Sequence, residues 1–192
     1  MKISKLYSNK PNIFEPIYFN IGIKNSKNET PNEYVDLLNV IFAEIVLHKD
    51  EKSDSHNLGK TTLANLFDFM FLKDININTS KHFLHINEDL FKDFTFYLEI
   101  LLNSGEFLTV RRSVKDNTRI FFKKHNENYQ NYVELPDEDW DVKEIPIQKA
   151  RQLFDSYLDL SVIKPWGYRM GISYFLRTQQ DYNDPFQISK FR

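Results

Sequence analysis

Asn57-Leu58-Gly59-Lys60-Thr61-Thr62 places a tight turn, a cation and two hydroxyls in one short stretch, a set of groups suited to holding the phosphates of a nucleotide. A loop that opens a helix presents unpaired backbone N–H groups and the positive end of the helix dipole to such an anion. In that reading Lys60 reaches the β- and γ-phosphates. Thr61 places its hydroxyl on Mg²⁺, and Thr62 adds a hydroxyl or N–H near the α- and β-phosphates. Gly59 lets the backbone approach where a Cβ would intrude. The full pattern, Gly-x-x-x-x-Gly-Lys-Ser/Thr, has its first glycine where this chain has Asp54. Asn57 stands where related loops often carry a second glycine, and it is the non-glycine residue best suited to a left-handed backbone. The Asp54 carboxylate would repel phosphate, so it is expected to face solvent or pair with a nearby lysine. The plainer alternative is a helix start capped by Asn57 or Ser55, with Lys60 merely exposed.

A strand must deliver such a loop and a helix must follow it. Leu38 to Leu47 is mostly apolar with a β-branched share, as a buried central strand should be. After the loop, Leu63, Leu66, Phe67, Met70 and Phe71 recur at helical spacing within Leu63 to Leu72. Lys2 to Ser8 and Pro16 to Phe19 read as an early hairpin turning at Asn9-Lys10-Pro11-Asn12. Gly22 to Tyr34 is a polar loop or insertion, and the charged His48 to Ser55 suggests a flap beside bound nucleotide. Further on, Asn87-Glu88-Asp89 caps an expected second helix carrying Leu90, Phe91, Phe94, Leu98, Leu101 and Leu102, stopped by Asn103-Ser104-Gly105. Glu106 to Arg112 and Arg119 to Lys123 form an expected hairpin, with Arg111 and Arg112 on opposite faces, where one could reach a nucleotide or partner and the plainer reading is exposed strand charges. Tyr129 to Trp140 is a polar, acidic loop. Pro146 opens a helix carrying Ile147, Ala150, Leu153, Phe154, Tyr157 and Leu158. Tyr168 to Thr178 fits either a helix or a strand.

Composition narrows the function. The 192 residues carry 25 basic and 27 acidic side chains, a formal charge of −2. The chain as a whole therefore offers no field for nucleic acid or anionic membrane. Its most basic stretch, Arg119 with Lys123, Lys124 and His125, reads as a solvated face. Cysteine is absent, which excludes disulfides, thiolate metal sites and a cysteine nucleophile. His82 and His85 have no third ligand nearby in sequence, so no metal is expected there. Met1 to Lys5 lacks an apolar signal core, and the longest apolar run is broken by Asn39 and Glu44, short of the ~20 residues of a spanning helix. These features lead to the expectation of a cytoplasmic protein with no membrane contact.

The order of hairpin, strand, Asn-x-Gly-Lys-Thr-Thr loop, helix and second hairpin resembles the N-terminal half of an SMC-like, ABC-type ATPase head. More narrowly, Met1-Lys2-Ile3-Ser4-Lys5-Leu6-Tyr7-Ser8, His56-Asn57-Leu58-Gly59-Lys60-Thr61-Thr62-Leu63 and Phe175-Leu176-Arg177-Thr178-Gln179 with Asp181-Tyr182 resemble a bacterial family encoded in three-component ABC ATPase systems. The resemblance implies an α/β fold: a P-loop NTPase lobe with a mixed sheet, an antiparallel β part and flanking helices, spanning residues 1–192. It implies that His56 to Thr62 bind ATP, that Lys60 and Gln179 are catalytic, and that Thr61 and Gln179 hold Mg²⁺. The signature motif and a Walker B strand ending in Asp-Glu do not occur in the sequence. On this expectation hydrolysis requires a C-terminal lobe and a second head as partners, with DNA reached only through the full assembly, in DNA maintenance or defence. A small self-sufficient kinase or GTPase would need an Asn-Lys-x-Asp motif and a second-strand Asp, and neither is found. The remaining alternative, favoured by Asp54, is a degenerate, non-binding lobe that serves as a protein-interaction module.

Overall fold

A computed structural model of the chain describes residues 1–20, 39–40, 60–75, 88–160 and 167–176. Among them six strands form one antiparallel sheet in the order β2-β1-β3-β4-β5-β6. The strands are β1 (Lys2–Ser8), β2 (Ile17–Tyr18), β3 (Thr95–Leu101), β4 (Phe107–Ser113), β5 (Arg119–His125) and β6 (Val142–Pro146). The helices are α1 (Lys60–Met70), the single turn α2 (Glu88–Phe91), α3 (Ile147–Tyr157) and α4 (Tyr168–Phe175). The fold is thus α/β, with an antiparallel sheet and flanking helices. Every pairing among the described residues is antiparallel, so the parallel component of a mixed sheet is not seen in them.

Both expected hairpins form. The first pairs Lys5 with Tyr18, and the second pairs Phe107 with His125. The expected second helix is corrected: beyond α2 the chain turns at Lys92-Asp93 and runs as β3 in the middle of the sheet. Apolar residues run unbroken enough to mimic helical spacing because all five interior residues of β3, Phe96 to Ile100, are buried, and Leu90 and Phe94 lie before the strand. A strand covered on both faces loses the polar alternation that would reveal its period of two. Asn103-Ser104-Gly105 turns the β3–β4 hairpin, with Gly105 at φ +89°, where a side chain would be strained. β6 was also missed, and Pro146 is its last residue as well as the N-cap of α3.

One face of the sheet packs under the helices. Leu6, Phe96, Leu98, Ile100, Leu108, Val110, Ile120 and Phe122 join Leu66, Phe69 and Met70 of α1, Ala150 and Phe154 of α3, and Tyr168 and Ile172 of α4 in a single core. Each fully buried Phe or Leu contributes roughly 2 kcal/mol, so this layer is the main source of cohesion. Leu66, Phe67, Met70 and Phe71 are buried as their helical spacing predicts, and Leu63 packs at the margin. The opposite face is smaller, built from Tyr7, Tyr97 and Phe121 under Trp140. Its cover is the Tyr129 to Trp140 segment, which supplies Tyr132, Val133 and Leu135 as well. That segment is polar in composition yet forms half of a second core.

Of the expected strand Leu38 to Leu47, only Asn39 and Val40 are described. Both are exposed and belong to no regular element. Among the described residues no helix is long and apolar enough to cross a membrane.

Candidate functional site

Among the described residues α1 runs from Lys60, which the phosphate-loop reading places in the first turn of a helix. Its first turn, Lys60-Thr61-Thr62-Leu63, contains no acidic residue, Thr61 is exposed and Thr62 is half-buried. The donor set therefore fits a phosphate with its Mg²⁺: N–H groups and hydroxyls are present with no carboxylate in that turn to oppose them. The rest of the motif, Asp54 to Gly59, lies outside the described residues, as do Gln179, His82 and His85. Among the described residues no cluster of three His, Asp or Glu could hold a metal ion.

The other end of α1 is locked. Lys73 donates its N–H to the Asp68 carbonyl and Leu72 donates to Phe69, the two bonds of a Schellman motif. The left-handed position of that motif usually holds glycine, but here it is Leu72, at φ +61°. The strain is on the order of 1–2 kcal/mol and is offset by complete burial of the leucine.

Three arginines from three elements converge on the carbonyls of this end. Arg112 of β4 donates to the Phe69, Lys73 and Asn117 carbonyls. Its guanidinium lies 4.1 Å from the Phe69 ring centroid. Arg151 of α3 donates twice to the Leu72 carbonyl, at 2.9 and 2.6 Å, and pairs with Asp74 at 2.8 Å. Arg169 of α4 pairs with Asp68 at 2.7 Å and donates to the Phe71 carbonyl at 3.1 Å. The Tyr168 hydroxyl donates to the same carbonyl at 3.1 Å. Cations at the negative end of a helix dipole are stabilising, by up to ~2 kcal/mol where partly buried.

These charges are mutually adjusted. Burial, with a smaller push from Arg151, pulls the Arg112 pKa down to about 9, which leaves the group charged at neutral pH. Burial raises the pKa of Asp68, but Arg169 and Lys73 outweigh it, so the carboxyl titrates below its ordinary value. Arg112 corrects its expected role as an exposed strand charge, because it is fully buried. Arg111 does lie on the opposite face, as alternation requires, paired with Asp137 and stacked on Phe121 at 4.3 Å.

A second polar center sits beneath the other face. The register of β1 on β3 shifts between Ile3 and Lys5, and this bulge brings Ser4 beside Glu99. Glu99 is completely buried. It accepts hydrogen bonds from the Ser4 hydroxyl at 2.6 Å, the Tyr129 N–H at 2.7 Å and the Gln130 N–H at 3.0 Å. Lys5 reaches over to the Tyr129 and Gln130 carbonyls. These bonds fasten the 129–140 segment to the sheet and explain a buried carboxylate without invoking catalysis.

The basic stretch is neutralised locally. Lys123 pairs with Asp141, Lys124 with Glu106, and Arg119 donates to the Glu144 carbonyl. Sequence reasoning missed Asp68, Glu99, Arg151, Tyr168 and Arg169. For Asp68 the one signal was a charge between the apolar Phe67 and Phe69, and for Arg169 a lone charge in α4. Comparisons of the chain with protein-family models, with curated proteins and with solved structures returned no match in any of the three.

Proposed function

We propose that this chain is the ATP-binding lobe of an SMC-like, ABC-type ATPase, with Mg·ATP held by the loop from Asn57 to Thr62. The observation that carries the reading is that Lys60 to Leu63 lie in helix α1, with an exposed Thr61 and no acidic residue in that turn. It is supported by a sheet in which strands before and after the loop pair side by side, β1 against β3, as the antiparallel part of such a lobe would require.

In this role Lys60 and the N–H groups of the first turn bind the β- and γ-phosphates. Thr61 contributes a hydroxyl to Mg²⁺, which supplies neutralising charge on the phosphates when bound. Gln179 is the candidate for sensing Mg²⁺ and the attacking water. The glutamate that positions water and the signature serine are not found in these 192 residues. Hydrolysis then belongs to an assembly with a C-terminal lobe and a second head, acting in DNA maintenance or defence.

A steady-state phosphate-release assay tests the division of labour. The expected result is turnover indistinguishable from the Lys60→Ala background. Turnover that Lys60→Ala abolishes would show that these residues hydrolyse ATP unaided.

A further inference from the structure

The Tyr129 to Trp140 segment is a strap with a core of its own. The chain leaves the sheet after His125 and rejoins it at Val142, which pairs with Phe122, so both ends stay anchored whatever the middle does. Its apolar contacts go to Tyr7, Tyr97 and Phe121, a cluster separate from the core beneath the helices. Among the described residues its backbone–backbone hydrogen bonds are internal turns, Leu135 to Tyr132, Asp139 to Pro136 and Trp140 to Asp137, and none joins the sheet. A compact segment with neighbouring ends and packing of its own is built like an Ω-loop.

The main fastening is concentrated in one dipeptide. Both N–H groups of Tyr129-Gln130 donate to the Glu99 carboxylate, at 2.7 and 3.0 Å, and both carbonyls accept from Lys5 Nζ, at 3.2 and 3.0 Å. Glu99 and Lys5 are both buried. The other ties are single bonds, from the Tyr132 N–H to the Tyr7 hydroxyl and from the Tyr129 hydroxyl to the Phe19 carbonyl, and the partly exposed Arg111–Asp137 pair. Closure also works against local costs. Tyr129 sits at φ +57°, in the left-handed region that a bulky side chain avoids. Trp140 Nε1 and the Nε of the neighbouring Arg111 are buried without an acceptor among the described residues, a desolvation cost that opening to water relieves.

We infer that the strap opens as a unit while the sheet and helices stay folded, with Glu99 and Lys5 as the latch that holds it shut. Opening frees the Tyr129-Gln130 dipeptide and relaxes the backbone at Tyr129. It uncovers the stacked rings of Tyr7 and Tyr97, 4.8 Å apart, and Phe121 beside them. The larger core on the other face contains no residue of the strap, so its packing survives the opening. A local opening of this kind requires less free energy than global unfolding. The inference is independent of nucleotide binding.

Native-state hydrogen–deuterium exchange of the full chain reads the opening residue by residue. After correction for intrinsic rates, the Tyr129, Gln130, Tyr132 and Trp140 amides are expected to exchange in one common step, at least about tenfold faster than those of β4. Ile120→Val trims the buried main core and should speed β4 exchange about fivefold, leaving the strap amides unchanged. Strap amides that exchange as slowly as β4 in wild type, or speed up in step with β4 in Ile120→Val, would show that the strap opens only with the whole fold and would overturn the inference. Glu99→Gln should speed strap exchange about thirtyfold and Lys5→Met about tenfold. Lys5→Met keeps the apolar stem and guards against a misfolded Glu99→Gln. Strap exchange unmoved by either change would overturn the latch.

Discussion

At its C-terminal end α1 meets Arg112, Arg151 and Arg169, drawn from β4, α3 and α4, whereas its first turn offers Lys60, Thr61 and Thr62 with no acidic residue among them. The negative end of the helix dipole is answered inside the fold by three cations. The positive end carries no carboxylate in its first turn, which suits the anion of the proposed nucleotide site. The contrast separates two tasks that one helix performs. One end is an anchor, and its failure should be read in stability. The other is the proposed binding end, and its failure should be read in ligand affinity with the fold intact.

Arg111 and Arg112 repeat the lesson across the sheet. They are neighbours in sequence, yet Arg111 pairs with the exposed Asp137 while Arg112 is sealed among carbonyls. Removing Arg112 empties a fully buried site and takes a donor from the Phe69, Lys73 and Asn117 carbonyls, so Arg112→Ala should cost about 4 kcal/mol in urea unfolding. Arg111→Ala should cost about 1 kcal/mol, since a partly solvated pair is worth little. Equal losses would erase the distinction between anchor and surface charge.

The binding end should give the next largest effect. Mg·ATP at a hundred times its dissociation constant should add about 2.7 kcal/mol to stability. Lys60→Ala should abolish that increment and leave the unliganded melt unchanged within about 0.5 kcal/mol.

Glu99→Gln probes the other face of the sheet, remote from both ends of the helix. An amide has one acceptor oxygen where the carboxylate uses two. A loss of about 2 kcal/mol is expected, with nucleotide binding unaltered. A change in ATP affinity would show that the 129–140 segment is part of the nucleotide site.

Acidification should produce the smallest effect at first. Burial lowers the His125 pKa more than the Glu127 carbonyl and the Glu99 and Asp141 carboxylates raise it. The folded state then takes up a proton less readily than the unfolded chain, whose value is 6.5. Stability is therefore full above that pH and declines as pH falls from it toward the lowered folded value. Asp68 adds a second decline at lower pH. Its folded pKa lies below the ordinary 3.8, so its contribution is complete above 3.8 and is lost as pH falls through the folded value. A melting temperature that rises on acidification through this range would contradict both assignments.

Much of the fold was legible where one face of an element is polar. The amphipathic α1, the β4–β5 hairpin and the α3 helix after Pro146 all occur where their periodicity places them. β3 was not legible, because Phe96, Leu98 and Ile100 are buried on one side while Tyr97 and Glu99 are buried on the other. The 129–140 segment misled for the opposite reason. Glu134, Asp137, Glu138 and Asp139 face solvent, while Tyr132, Leu135 and Trp140 between them pack on the sheet.

At the candidate site a helix that includes Lys60, Thr61 and Thr62 was readable from the apolar spacing after them. The arginine cage was not, because Arg112, Arg151 and Arg169 are far apart in the chain and meet only through the tertiary fold. Asp54 to Gly59 and Gln179 lie outside the described residues, so the loop motif itself still rests on sequence chemistry.

The most direct test of the account is isothermal titration of the purified chain with Mg·ATP, with Lys60→Ala titrated in parallel. Saturable binding at one site, lost in Lys60→Ala with its fold intact, is the predicted result. No heat with wild-type protein that unfolds cooperatively would contradict it and turn the chain into a protein-interaction module.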